Sequence, residues 1–123
     1  MIRQRILVAA DHPITGLSEI AMLRDLGYEV TSWCISGQSA VSMVGEGKPD
    51  AVLMDIMLSG DMKGTEAAKV IREKFGTPIV FVTACGAKDA SESAVPTEGY
   101  GYVVKPFTKA DLPAAIEGVI ARA

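Results

Sequence analysis

Ala51-Val52-Leu53-Met54-Asp55 runs four apolar residues, without a polar alternate, into a carboxylate. A strand with one wet face alternates apolar and polar side chains; a strand covered on both faces does not. The same construction recurs on either side. Ile6-Leu7-Val8-Ala9-Ala10 precedes Asp11, Ile79-Val80-Phe81-Val82 follows Pro78 and runs into Thr83, and Tyr102-Val103-Val104 runs into Lys105-Pro106. Glu29 to Ile35 reads as one more strand. Between these runs the apolar period becomes helical. Pro13 suits the first turn of a helix whose Leu17, Ile20, Leu23 and Leu26 recur at every third position up to Gly27. Ala40, Val41 and Val44 predict a short second helix closed by Gly45. Past a loop with Gly60 and Gly64, Ala68, Ile71 and Phe75 share a helical face. The stretch from Cys85 to Gly101, broken by Ser, Gly and Pro96, supports only a short, poorly specified helix. Thr108 with Asp111 resembles a capping box ahead of Leu112, Ile116, Val119 and Ile120, although Pro113 makes Asp111 the alternative cap. Five strands alternating with helices predict an α/β fold: a doubly wound parallel sheet with right-handed crossovers and helices on both faces.

At 123 residues the chain is the size of one domain, and no linker, repeat or second unit interrupts residues 1–123. A net charge of -3 without a basic stripe argues against nucleic acid as a partner. No apolar run approaches the ~20 residues that cross a bilayer. The basic start, Met1 to Arg5, is followed by too short an apolar run for a signal peptide, so a cytoplasmic protein is expected. Cys34 and Cys85 form no CxxC pair and are expected to stay reduced, and His12 alone makes no zinc site. Gly45-Glu46-Gly47-Lys48-Pro49 resembles part of a phosphate loop but lacks the full spacing, and reads as a turn.

Asp11, Asp55, Thr83 and Lys105 share one place in this pattern, each just beyond the end of an apolar strand. Open parallel sheets bind ligands outside those strand ends. Two facing carboxylates call for a cation between them, and Mg²⁺ is the hard, oxygen-seeking candidate. A carboxylate can act as nucleophile toward phosphorus, and a lysine with a hydroxyl donor can hold the phosphoryl oxygens. His12, beside this group, is expected to face solvent.

Ile6-Leu7-Val8 leading to Asp11, Met54-Asp55, Val82-Thr83-Ala84 and Gly101-Tyr102-Val103-Val104-Lys105-Pro106-Phe107 are similar to the four signature segments of response-regulator receiver domains of two-component signal transduction. The likeness runs over essentially the whole chain and is strongest toward single-domain, chemotaxis-regulator-like members. It implies the flavodoxin-like strand order 2-1-3-4-5. It implies Asp55 as phosphoacceptor, with Mg²⁺ held by Asp11, Asp55 and the main-chain carbonyl of Met57. Thr83 and Lys105 would bind the phosphoryl group, and Thr83 with Tyr102 would form the switch. A sensor histidine kinase or phosphotransfer domain would be the donor. The output would leave through the face of the fourth helix, fifth strand and last helix, toward a downstream protein or output domain. Such a phosphorelay domain catalyses nothing beyond its own phosphorylation and dephosphorylation.

The chain departs from that pattern in several places. Ala10 stands where receivers usually carry the first of two adjacent acidic residues, which predicts weaker Mg²⁺ binding. Ser59 lies in an Asp55–Gly64 loop one residue longer than is common, and Cys85 replaces a residue that is often polar. Ala10 also favours the alternative of a pseudo-receiver, the same fold used as an interaction module without phosphorylation. A flavodoxin-like electron carrier would need a Ser/Thr/Gly-rich loop where Asp11-His12-Pro13-Ile14 stands. An aspartyl-phosphate hydrolase would need Asp-x-Asp, whereas Met57 stands two after Asp55.

Overall fold

A computed structural model describes residues 4–56, 58, 60, 62–83, 100–104 and 107–122, without the side chain of Arg122. Among the described residues nine elements follow one another: β1 (Arg5–Ala9), α1 (Pro13–Asp25), β2 (Glu29–Cys34), α2 (Gly37–Gly47), β3 (Ala51–Asp55), α3 (Gly64–Phe75), β4 (Ile79–Thr83), β5 (Tyr100–Val104) and α4 (Asp111–Arg122). The strands form one parallel sheet in the order β2-β1-β3-β4-β5. The unbroken apolar runs are explained by cover on both faces. Ile6, Val8, Leu53, Val80 and Val103 turn toward Ile20 and Leu23 of α1 and Leu112, Ile116 and Val119 of α4. Their neighbours Leu7, Ala9, Val52, Met54 and Phe81 turn the other way, toward Ala40 and Val44 of α2 and Ala67, Ala68 and Ile71 of α3. The poorly specified helix expected between Cys85 and Gly101 lies outside the described residues, apart from its last two positions.

Those two positions belong to β5, which starts at Tyr100 rather than Tyr102. A Cβ on Gly101 would come within 2.7 Å of Val119 Cγ1, so this glycine lets α4 lie close to the strand. At the other sheet edge β2 ends at Cys34, leaving Ile35 beyond it 50 % exposed. In α1 the row at every third position is not one face. Each step of three falls short of a full turn, so Leu17 and Leu26 end up half a turn apart. Leu17 is accordingly 60 % exposed, and Gly16 and Glu19 take places beside Ile20 and Leu23 on the buried side. Phe75 is likewise 44 % exposed at the end of α3.

Gly45 does not close α2. The helix continues to Gly47, and Lys48, in the left-handed region at φ 47°, caps it. Gly45 instead makes room for the Phe75 ring, whose Cζ would lie 3.1 Å from a Cβ there. Arg5 completes the end of α2 by donating from Nη1 to the Gly47 carbonyl at 2.7 Å. Such a cation satisfies carbonyls that the last helical turn leaves open. Neither reading of the last cap holds in full. α4 begins at Asp111, and the Asp111 carboxylate accepts from the Thr108 amide at 2.8 Å, as a capping box requires. Pro113 then falls in the first turn, where its missing N–H costs no helical bond.

Two core groups make stability depend on alkaline pH. Burial pushes the Cys34 thiol from 9.0 up to about 11. Burial and a hydrogen bond to the Glu117 carboxylate at 2.8 Å push Tyr28 up as well. In the unfolded chain both groups lose their protons first, so the Cys34 contribution is complete below about pH 9 and fades as pH rises toward about 11, and that of Tyr28 fades at higher pH. Urea midpoints are expected to fall across that window. In Cys34→Ala the fall is expected to be shallower.

Candidate functional site

β1 and β3 pair with Ala9 opposite Met54, so Ala10 stands level with Asp55 and Asp11 leaves the same sheet end one residue later. β3 and β4 pair with Asp55 opposite Val82, and the ladder extends to a bond from the Ile56 amide to the Val82 carbonyl at 3.3 Å. Thr83, opposite Val104 of β5, is the next residue along β4. Three adjacent strands therefore deliver Asp11, Asp55 and Thr83 to one end of the sheet. Asp55 is 6 % exposed and Thr83 8 %, while Asp11 is half-buried. His12 is exposed, as expected. Met57 and Lys105 lie outside the described residues.

The donor chemistry fits a hard divalent cation. A carboxylate as buried as Asp55 is costly to keep ionised, and Asp11 adds a second negative charge beside it. Oxygen ligands of this kind suit Mg²⁺. Among the described residues no group of three or more His, Cys, Asp or Glu side chains converges.

Tyr102 lies on β5 opposite Phe81, and its ring stacks on Phe81 with centroids 5.6 Å apart. By strand alternation Phe81, Thr83 and Tyr102 share the sheet face turned toward α2 and α3. The Tyr102 hydroxyl is buried and finds no hydrogen-bond partner among the described residues; burial pushes its pKa up.

The model of the response regulator receiver domain family matches residues 6–117. The chain belongs to that family. Among curated relatives, the receiver domain is 37 % identical over 119 residues to the transcriptional regulatory protein PdtaR of Mycobacterium tuberculosis, covering 97 % of this chain and 58 % of that one. It is 36 % identical over 122 residues to the DNA-binding response regulator MtrA of Mycolicibacterium smegmatis, covering 98 % and 52 %. The chain thus spans only part of the length of both. Among solved structures, a response regulator receiver protein from Sinorhizobium medicae superposes with a TM-score of 0.83 at 31 % identity, covering 97 % of this chain and 95 % of that one. The receiver domain of the sensor histidine kinase PA1611 from Pseudomonas aeruginosa, with magnesium coordinated in its active-site cleft, gives 0.81 at 31 % identity, covering 98 % and 99 %. Among the described residues no helix is long and apolar enough to cross a membrane.

Two features of the receiver domain's site emerge only in the structure: what Gly64 packs against and how deeply Ala10 is buried. Gly64, the first residue of α3, is buried against the strand exit that carries Asp55. A Cβ there would overlap the Asp55 carbonyl oxygen and stand 2.8 Å from the Ile56 carbonyl oxygen, while the Gly64 amide donates to that same Ile56 oxygen at 3.0 Å. Backbone cannot step aside as a side chain can. Gly64→Ala is therefore expected to lose about 1–3 kcal/mol and to move the Asp55–Ile56 backbone. A urea midpoint together with the rate of modification by acetyl phosphate checks this, and both are expected to fall.

The second feature is Ala10. It is wholly buried in the layer between the sheet, α1 and α4. A carboxylate at this position has no water to meet and needs a cation as its counter-charge. Ala10→Asp is expected to melt lower than wild type in EDTA and to recover part of the loss in Mg²⁺, through tighter metal binding. A thermal midpoint that ignores Mg²⁺ in the variant would place position 10 outside the metal shell.

Proposed function

We propose that this receiver domain, taken as one unit over residues 1–123, accepts a phosphoryl group on Asp55 from a sensor histidine kinase or phosphotransfer domain in the cytoplasm. The observation that carries the reading is a nearly buried aspartate ending the central strand, with Asp11 just beyond one neighbouring strand and Thr83 at the end of the other. An Asp55 carboxylate oxygen attacks phosphorus, an O–P bond forms as the donor's N–P bond breaks, and the imidazole leaves with a proton. The Thr83 hydroxyl donates to one phosphoryl oxygen, and Lys105, which follows the end of β5, neutralises another. Asp11, Asp55 and the Met57 carbonyl are the residues that would hold Mg²⁺, which when bound screens the carboxylates from the incoming phosphate.

The signal then passes through Thr83 and Tyr102. Movement of the threonine hydroxyl toward the phosphoryl group biases a pre-existing equilibrium of the tyrosine ring and the surface beside it. A groove of about 530 Å³, lined by Gly101, Tyr102, Val104, Asp111, Ala114 and Ala115, runs along β5 and α4 where the output partner would read this change. The domain contributes no chemistry beyond gaining and losing its own phosphoryl group. Acetyl phosphate replaces the kinase in the test: a phosphoryl adduct is expected with Mg²⁺ and not with EDTA. The second reading, a pseudo-receiver that signals by binding alone, is favoured by the apolar, buried Ala10. It requires no adduct under either condition.

A further inference from the structure

We propose that Trp33 is a positioning residue for Asp11, and through Asp11 for the divalent cation. This rests on the reading of Asp11 and Asp55 as the cation site. The connection from β1 to α1 is only Ala10, Asp11 and His12, so whatever fixes its two ends fixes Asp11. Trp33 holds both. Its indole Nε1 donates to the Ala10 carbonyl at 2.8 Å, and one residue further the Cys34 carbonyl accepts from the Ala10 amide at 2.9 Å. The ring of the same indole lies against the first turns of α1. A Cβ on Gly16 would stand 2.7 Å from Trp33 Cε2, 2.8 Å from Nε1 and 2.9 Å from Cζ2, so the contact exists because position 16 is glycine.

A backbone irregularity aims the indole. Along β1 and β2 the register runs Ile6 to Val30 but Leu7 to Ser32, so Thr31 is an extra residue in β2. Val30 and Trp33, an odd number of positions apart, would otherwise face opposite sides of the sheet. With the bulge both face the α1 side, Val30 beside Ile6 and Trp33 beside Val8. Bulges of this kind re-aim side chains near sites. Bulge, glycine and indole together clamp the loop from which Asp11 projects. Ala10 itself supplies no carboxylate to the cation, so the geometry of Asp11 weighs more here than in a site with two adjacent acids.

Trp33 is also the chain's one tryptophan, so its emission reads this loop alone. Mg²⁺ is expected to change wild-type emission and to leave Asp11→Asn unchanged. Trp33→Phe keeps an aromatic ring and removes the N–H. Its Mg²⁺ dissociation constant, measured by calorimetry, is expected to rise about threefold to tenfold, as loss of one hydrogen bond would give. The plateau rate of phosphorylation at saturating Mg²⁺ is expected to stay within about twofold of wild type. A purely structural residue would instead lower the melting temperature and the plateau and leave Mg²⁺ affinity unmoved. Should Trp33→Phe fail to fold, Gly16→Ala displaces the indole with its N–H intact and carries the same calorimetric comparison. Wild-type Mg²⁺ binding that persists undiminished in the folded variant overturns the role of Trp33 and leaves the cation site standing. Absence of Mg²⁺ binding in wild type overturns both.

Discussion

Phe81→Ala is expected to remove about 3–5 kcal/mol from the stability of the domain, as truncation of a buried aromatic does. Phe81 is 1 % exposed and occupies the middle of β4. Tyr100 stacks on it from β5 with centroids 5.8 Å apart and planes 1° from parallel, and Tyr102 stacks at 5.6 Å and 30°. Each such pair contributes about 0.5–1.5 kcal/mol beyond the area it buries. Against a total near 5–15 kcal/mol, the loss takes much of the folding margin. Phe81→Leu, which retains most of the volume and none of the stacking, is expected to lose less. It also removes the stacking support of the Tyr102 ring. Urea unfolding of both variants checks this. A loss below about 1 kcal/mol in Phe81→Ala would mean that the two tyrosines close over the cavity.

Most of the architecture is legible in the chain, and for a physical reason. A strand buried on both faces cannot tolerate a polar residue until it ends. In Ala51–Asp55 and Ile79–Thr83 the first polar side chain therefore marks both the strand end and the candidate site. What stays hidden is contact between residues distant in sequence. Gly45, Gly64 and Gly101 look like turns or breaks, yet each sits inside or at the start of an element because another side chain or backbone presses there. Gly16 and Trp33 carry no local signal at all, since only the Thr31 bulge turns the indole toward α1. In α1 the three-residue row misleads because a leucine at every third position drifts around the helix, and Leu17 drifts into solvent.

The second large effect is all-or-none. Asp55 is the one carboxylate that ends the central strand, buried among Ile56, Val82 and the neighbouring strand ends, with Thr83 beside it on β4. Asparagine has nearly the same shape and hydrogen-bonding reach but no anionic oxygen to bond phosphorus. Asp55→Asn is therefore expected to fold as wild type does and to accept no phosphoryl group at all. Asp11, half-exposed at the mouth of the site, is a carboxylate too and is the natural competitor for the modification. The direct measurement is intact mass after incubation with acetyl phosphate and Mg²⁺, on wild type, Asp55→Asn and Asp11→Asn. The expected result is one phosphoryl group on wild type, none on Asp55→Asn, and a slower gain on Asp11→Asn. An adduct of undiminished yield on Asp55→Asn would contradict Asp55 as the phosphoacceptor.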